Sequence, residues 1–167
     1  MSYRGDPLVY ETLNKLSIPF EYHEHPEAPT VEVASRYWKD IASTHCKNLF
    51  FRNHKGNKHY LVILEYRKML DIHQLEKLLK QGKLTLASPE RMKRFLGLKP
   101  GSVSPFGLLY DSQHHVHLFI DSELKSTQRL SFHPNLNTAS LVIPTSEFFR
   151  FLDWVGNPYD FIDYFDS

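Results

Sequence analysis

Two apolar runs, Asn48 to Arg52 and Lys58 to Leu64, are separated by Asn53-His54-Lys55-Gly56-Asn57. The runs have the composition of buried strands and the five residues between them are turn-formers, so the centre of the chain is expected to be a β-hairpin. This feature constrains the fold most. A hairpin with an apolar face needs further layers to cover it, and the flanking sequence offers both strands and helices.

The helix signals are local and chemical. Asp6 is a good N-cap and Pro7 suits the first helical position; Leu8, Val9, Leu13 and Leu16 make a stripe that Pro19 ends. Phe20 to His23 reads as a short strand, and His25 to Pro29 as a stiff loop. Thr30 is a candidate cap for a second helix running to about Ala42. Asp71 with Gln74 opens a third helix that Gly82 closes. Ser88-Pro89-Glu90 opens a fourth, stopped at Gly97, and a last one runs from near Thr145 to Gly156. Phe106 to Tyr110 and His115 to Ile120 are expected to form a second hairpin, because Val116, Leu118 and Ile120 alternate with His117 and Phe119. Leu130 to His133 and Ala139 to Ile143 are two more strands. Strands that come mostly as hairpins with helices inserted predict an α+β fold with a largely antiparallel or mixed sheet. The 167 residues suit one domain, with a short acidic tail from about residue 157.

Composition excludes several classes. The lone Cys46 rules out an intrachain disulfide framework and a cysteine-based zinc site. No run of residues reaches the roughly 18 apolar positions of a membrane span, and the N-terminus has no apolar leader, which predicts a soluble cytoplasmic protein with no membrane partner. There is neither a P-loop nor a dinucleotide-binding glycine motif. The ten histidines include His23 with His25 and His115 with His117, spaced to face one way on a strand, but no acidic residue or cysteine joins them at a recognised metal-binding spacing; no metal and no cofactor is expected. The net charge of +1 hides a basic middle: Lys47 to Lys99 carries 13 Lys/Arg against 4 Asp/Glu, while residues 147–167 carry 1 against 5. Such a middle can hold a phosphate backbone, although lysines on helices more often only solvate a surface.

Three segments could carry chemistry. Lys47 enters the apolar run Asn48-Leu49-Phe50, and an ammonium at a strand mouth can clamp a phosphate or a developing oxyanion. Gly101-Ser102-Val103-Ser104-Pro105 is a tight loop whose backbone N–H groups can face an anion. His133-Pro134-Asn135-Leu136-Asn137-Thr138 gathers a histidine, amides and a hydroxyl suited to a ribose or an aminoacyl ester.

Taken in order, Cys46-Lys47-Asn48-Leu49-Phe50, His59-Tyr60-Leu61-Val62, Pro100 to Gly107 and Phe132 to Ala139 resemble the YbaK/prolyl-tRNA-synthetase editing-domain superfamily, most closely its single-domain Ala-tRNA(Pro) deacylases. The resemblance covers nearly the whole chain. It implies a mixed, mostly antiparallel, partly closed barrel-like sheet with surrounding helices. It implies metal-independent hydrolysis of the ester between alanine and the 3′ end of proline tRNA. By position it implies catalytic roles for Lys47, Gly101 and Ser102, and substrate binding by Asn48, Pro105, His133, Asn137 and Thr138. Aminoacyl-tRNA is then the partner, with prolyl-tRNA synthetase a further candidate. The cations Lys77, Lys80, Lys83, Arg91, Lys93 and Arg94 are expected on helices that meet tRNA phosphates. The alternatives are a deacylase for another misacylated tRNA such as Cys-tRNA(Pro), a non-catalytic tRNA-binding or regulatory module, and a small-molecule binder with a ring-lined barrel.

Overall fold

A computed structural model of the chain describes residues 2–27, 31–38 and 42–166. The elements in order are α1 (Pro7–Lys15), β1 (Glu21–Glu24), α2 (Val31–Trp38), β2 (Thr44–Arg52), β3 (His59–Glu65), β4 (Met69–Leu70), α3 (Ile72–Leu79), β5 (Thr85–Leu86) and α4 (Pro89–Leu96). A 3₁₀ turn at Pro105–Tyr110 follows, then β6 (His117–Asp121), a second 3₁₀ turn at Ser122–Ser126, β7 (Arg129–Phe132), β8 (Ala139–Pro144), α5 (Thr145–Val155), β9 (Tyr159–Ile162) and β10 (Phe165–Asp166).

The central hairpin is present: β2 and β3 pair antiparallel from Cys46–Glu65 to Arg52–His59. Around it runs a sheet ordered β1-β8-β7-β2-β3-β6-β9, with β5 paired to β2. Pairing is antiparallel except at β2/β7, β3/β6 and β6/β9. This is the expected α+β architecture with a mixed, mostly antiparallel sheet and helices around it. The strand path ends at β1 and β9 and does not close on itself.

β3 explains its own apolar run, because it is covered on both faces. Leu61 and Ile63 join a core with Val9, Leu13, Phe50, Phe106, Leu118, Phe132, Phe148 and Phe151. Tyr60, Val62 and Leu64 face the other way, against Phe51, Leu75, Phe119 and Ile162.

Several expectations change. Phe106–Tyr110 is a 3₁₀ turn and not a strand: the Ser104 hydroxyl accepts from the Phe106 N–H at 3.1 Å, and Pro105 sets a helical φ while offering no N–H to a ladder. β6 therefore has no hairpin partner there and lies parallel to β3 and β9 instead. β2 starts at Thr44, four residues before Asn48, because its first residues pair with β7. The acidic end is not left outside the sheet, since β9 pairs with β6. The second helix ends at Trp38 and Ala42 is not helical; the Thr30 cap lies outside the described residues.

Candidate active site

β2 and β7 run parallel but pair only at Thr44–Leu130 and His45–Ser131. β7 then ends, and β2 meets no further neighbour on that edge until β5, which pairs with Phe51 and Arg52. A cleft therefore opens beside Cys46 to Leu49. His133 follows the last residue of β7 and lines the same small cavity as Cys46 and Asn48, the residues on either side of Lys47. Ser140 of β8 lines that cavity too, and β8/β1 pairing sets His23 opposite Ser140. Two residues singled out in the sequence, Asn48 and His133, thus line one cavity, with Lys47 on the strand between Cys46 and Asn48.

Lys47 lies inside a strand and not at its mouth, half-buried opposite Leu64. Among the described residues it makes no ion pair. Its neighbour Asn48 alternates to the face of Cys46 and Phe50, and its Oδ1 is buried without a hydrogen-bond partner. His133 opens the β7–β8 connection. Its Nδ1 is 2.8 Å from the Ala139 carbonyl, which can only accept, so Nδ1 carries the proton and Nε2 is bare. Burial holds its pKa below the usual histidine range, against the opposing Ala139 hydrogen bond, and the imidazole is neutral at neutral pH.

Asn137, buried, and Thr138, half-buried, lie in the same connection. The N-terminus pins this loop. Asp6 caps α1 through the Leu8 N–H at 3.0 Å, donates its own N–H to Pro134 O at 2.9 Å, and accepts from Asn135 Nδ2 at 3.1 Å and from the Tyr110 hydroxyl. Gly5, at φ 118°, lets the backbone approach: a Cβ there would stand 2.7 Å from Pro134 O.

The Gly101 loop approaches from the opposite, main-core face. Gly101 has φ 84°, and the Ser102 N–H is spent on Lys99 O at 3.1 Å, so it is not a free donor. Pro105 is buried and leads into Phe106, whose ring meets Phe132 at 6.3 Å. Among the described residues no hydrogen bond joins this loop to Lys47 or His133.

The expected tRNA-binding cations divide. Lys77, Lys80, Lys83, Lys93 and Arg94 are exposed, but Arg91 is engaged, donating to Gly56 O at 2.8 Å and lying 3.0 Å from His59 Nε2. α3 and α4 sit on opposite faces of the sheet, yet both reach the β2–β3 turn: His54 N–H donates to Gln81 O at 3.2 Å, and Arg91 holds Gly56. The turn adds Arg52, Lys55 and Lys58, making one basic end. The sequence reading does not single out these three, although they belong to the basic middle visible there.

Arg91 donates to His59 Nε2, so His59 Nδ1 must donate to His115 Nε2, 2.9 Å away. Burial, then His115, Arg91, Arg52 and Arg94, lower the His59 pKa to about 4 from 6.5. A histidine whose folded pKa is depressed binds protons more readily unfolded. Its contribution to stability is complete above the unfolded value and is lost as pH falls from about 6.5 towards 4. Thermal melts over that range should therefore fall more steeply for the wild type than for His59→Gln; equal slopes would remove His59 as the cause.

His117 Nε2 is 2.7 Å from Asp160 Oδ2, and His23 Nε2 is 3.6 Å from Glu21 Oε2. Among the described residues no three of His, Cys, Asp or Glu gather as a metal-ligand set, and no helix is long and apolar enough to cross a membrane.

Comparison with known proteins places this geometry in a class. Residues 25–151 match the model of the aminoacyl-tRNA editing domain, and the chain belongs to that family. It is 31% identical over 155 residues to the prolyl-tRNA editing protein ProX of Acetoanaerobium sticklandii, covering 93% of this chain and 94% of that one. It is 30% identical over 158 residues to the prolyl-tRNA synthetase associated domain-containing protein 1 of Xenopus laevis, covering 92% of each. A crystal structure of a candidate trans-editing enzyme for prolyl-tRNA synthetase shares the fold at a TM-score of 0.69 and 19% identity, over 98% of this chain and all of that one.

Proposed function

We propose that this protein is an aminoacyl-tRNA deacylase that hydrolyses alanine from mischarged proline tRNA. The observation that carries the reading is the cavity that Asn48 and His133 line together, beside Lys47 on β2, in a chain of the editing family. Its relative from Acetoanaerobium sticklandii is named for prolyl-tRNA editing.

The chemistry asks little of the protein. An aminoacyl ester is already activated, so a placed water and a fixed positive charge suffice, and no metal is required. Lys47 holds the terminal phosphate. Gly101 keeps its loop tight on the core side of the cleft, where Phe106 backs Phe132, and Ser102 acts through that turn, its N–H being committed. Asn48, Pro105, His133, Asn137 and Thr138 bound the space for the aminoacyl-adenosine end. Lys77, Lys80, Lys83, Lys93 and Arg94 meet phosphates further along the tRNA, in the cytoplasm where prolyl-tRNA synthetase generates the error. The need is physical: a pocket built for proline rejects a smaller residue by only ~1–3 kcal/mol per missing methylene.

Ester loss from one proline tRNA charged in turn with alanine, serine and cysteine tests the assignment. Alanine should be released fastest. A strong preference for the cysteinyl ester would make this a Cys-tRNA(Pro) deacylase, and release of none would leave a binding module.

A further inference from the structure

Within the β2–β7 cleft lies a small cavity of about 10 Å³, lined by Cys46, Asn48, Ser131, Phe132, His133 and Ser140. One water molecule needs roughly 10–15 Å³ on this measure, together with two to four polar partners. An amino-acid side chain does not fit.

The lining has a defined polarity. Asn48 Oδ1 is an acceptor with no partner. His133 Nε2 is an acceptor, because Nδ1 is committed to the Ala139 carbonyl. The direction of the third group, the Ser140 hydroxyl, is set from outside the cavity. His25 Nδ1 lies 2.9 Å from Pro26 O and must donate to it, so His25 Nε2 is bare. That nitrogen is 3.0 Å from Ser140 Oγ, so the Ser140 hydroxyl donates to His25 and turns its lone pairs away from it. His25 is itself fixed, stacked on Tyr37 at 5.5 Å, with its N–H on Thr138 O at 3.0 Å. Both residues are more than nine-tenths buried. The cavity therefore meets three acceptors, which suits a neutral ligand with protons to give: a water can donate one proton to His133 Nε2 and share the other between Asn48 Oδ1 and Ser140 Oγ. An ammonium group would need a carboxylate, and none lines the cavity, while the Lys47 cation stands on the adjoining strand face.

We infer that this cavity holds the hydrolytic water between Asn48, His133 and Ser140, and that His25 is a positioning residue acting through Ser140. The inference deepens the editing reading and rests on it. The water oxygen forms a bond to the ester carbonyl carbon and its proton passes to His133 Nε2. The bond from that carbon to the 3′ oxygen then breaks, and the proton on His133 moves to the departing oxygen. The products are the free amino acid and an uncharged tRNA end, with no proton gained or lost by the protein.

The test uses the whole protein with Ala-tRNA(Pro), measuring kcat, KM and Tm. Ser140→Ala should lower kcat by about 10²-fold, the scale on which misplacing a reacting group slows a reaction, with KM unchanged. His25→Leu should do the same, and combining the two should add little, since they act in one chain. His25→Gln keeps an acceptor where Nε2 stands and should recover most of the rate. A wild-type kcat in a folded Ser140→Ala protein would overturn the assignment. So would equal losses in His25→Leu and His25→Gln that track Tm, which would make His25 a packing residue. A wild-type protein that cleaves no aminoacyl ester would instead overturn the editing reading itself.

Discussion

Lys47→Ala lowers the deacylation rate about 10²–10³-fold, the loss typical of removing one preorganised electrostatic donor. The effect should be large because the ammonium is held on a strand paired along its length with β3 and is not on a mobile loop. The backbone that carries it is already in place when charge develops. It should also be specific. Lys47 is only half-buried and makes no ion pair among the described residues, so alanine leaves no orphaned charge behind and the fold should melt within a few degrees of the wild type. Lys47→Arg keeps the charge on a longer, planar head and should retain part of the rate. Single-turnover kinetics beside a thermal melt checks both points; a folded Lys47→Ala protein working at the wild-type rate would remove Lys47 from the site.

Reversing Lys80, Lys83, Lys93 and Arg94 to glutamate should weaken tRNA binding by about 10- to 100-fold at low salt and flatten its salt dependence. Each phosphate that the protein no longer neutralises takes roughly 0.7–0.9 from the slope of log affinity against log salt. All four side chains are exposed, two on α4 and two just after α3. Arg91 is left alone because its hydrogen bonds to Gly56 and His59 support the turn. Hydrolysis of alanyl-adenosine should be spared, because it has no distant phosphates. Equal damage on both substrates would mean that these residues serve the fold.

What is legible in the sequence is local. Asp6 with Pro7, Asp71 and Ser88 with Pro89 each cap the helix they announce, and Gly97 and Gly156 close theirs at positive φ. These signals act over one turn of chain. The strand expected at Phe106 does not form because Phe106, Leu108 and Leu109 suit a buried 3₁₀ turn as well as a buried strand, and the Ser104–Pro105 start decides between them. β4, β5 and β10 are two residues each and exist only through their partners. In the site, family resemblance points to Asn48 and His133, but their meeting at one cavity depends on the parallel pairing of β2 and β7, which no local pattern encodes. Ser140 and His25 do not stand out as a pair, being 115 residues apart in the chain and ordinary in composition. The sequence draws attention to His25 as the start of a stiff loop and as a spacing partner of His23, and its contacts with Pro26 and Ser140 do not support the second.

The central claim is that the protein shortens the life of a wrong ester and spares the right one. The direct measurement is the first-order loss of label from Ala-tRNA(Pro) and from Pro-tRNA(Pro), each with and without protein. The two substrates share every tRNA contact, so only the aminoacyl group differs, and a close-packed wall disfavours the larger ring by about 1–3 kcal/mol or more. Alanyl loss is expected far above the spontaneous rate, with prolyl loss close to it. Alanyl loss at the spontaneous rate, or equal acceleration of both esters, would contradict it.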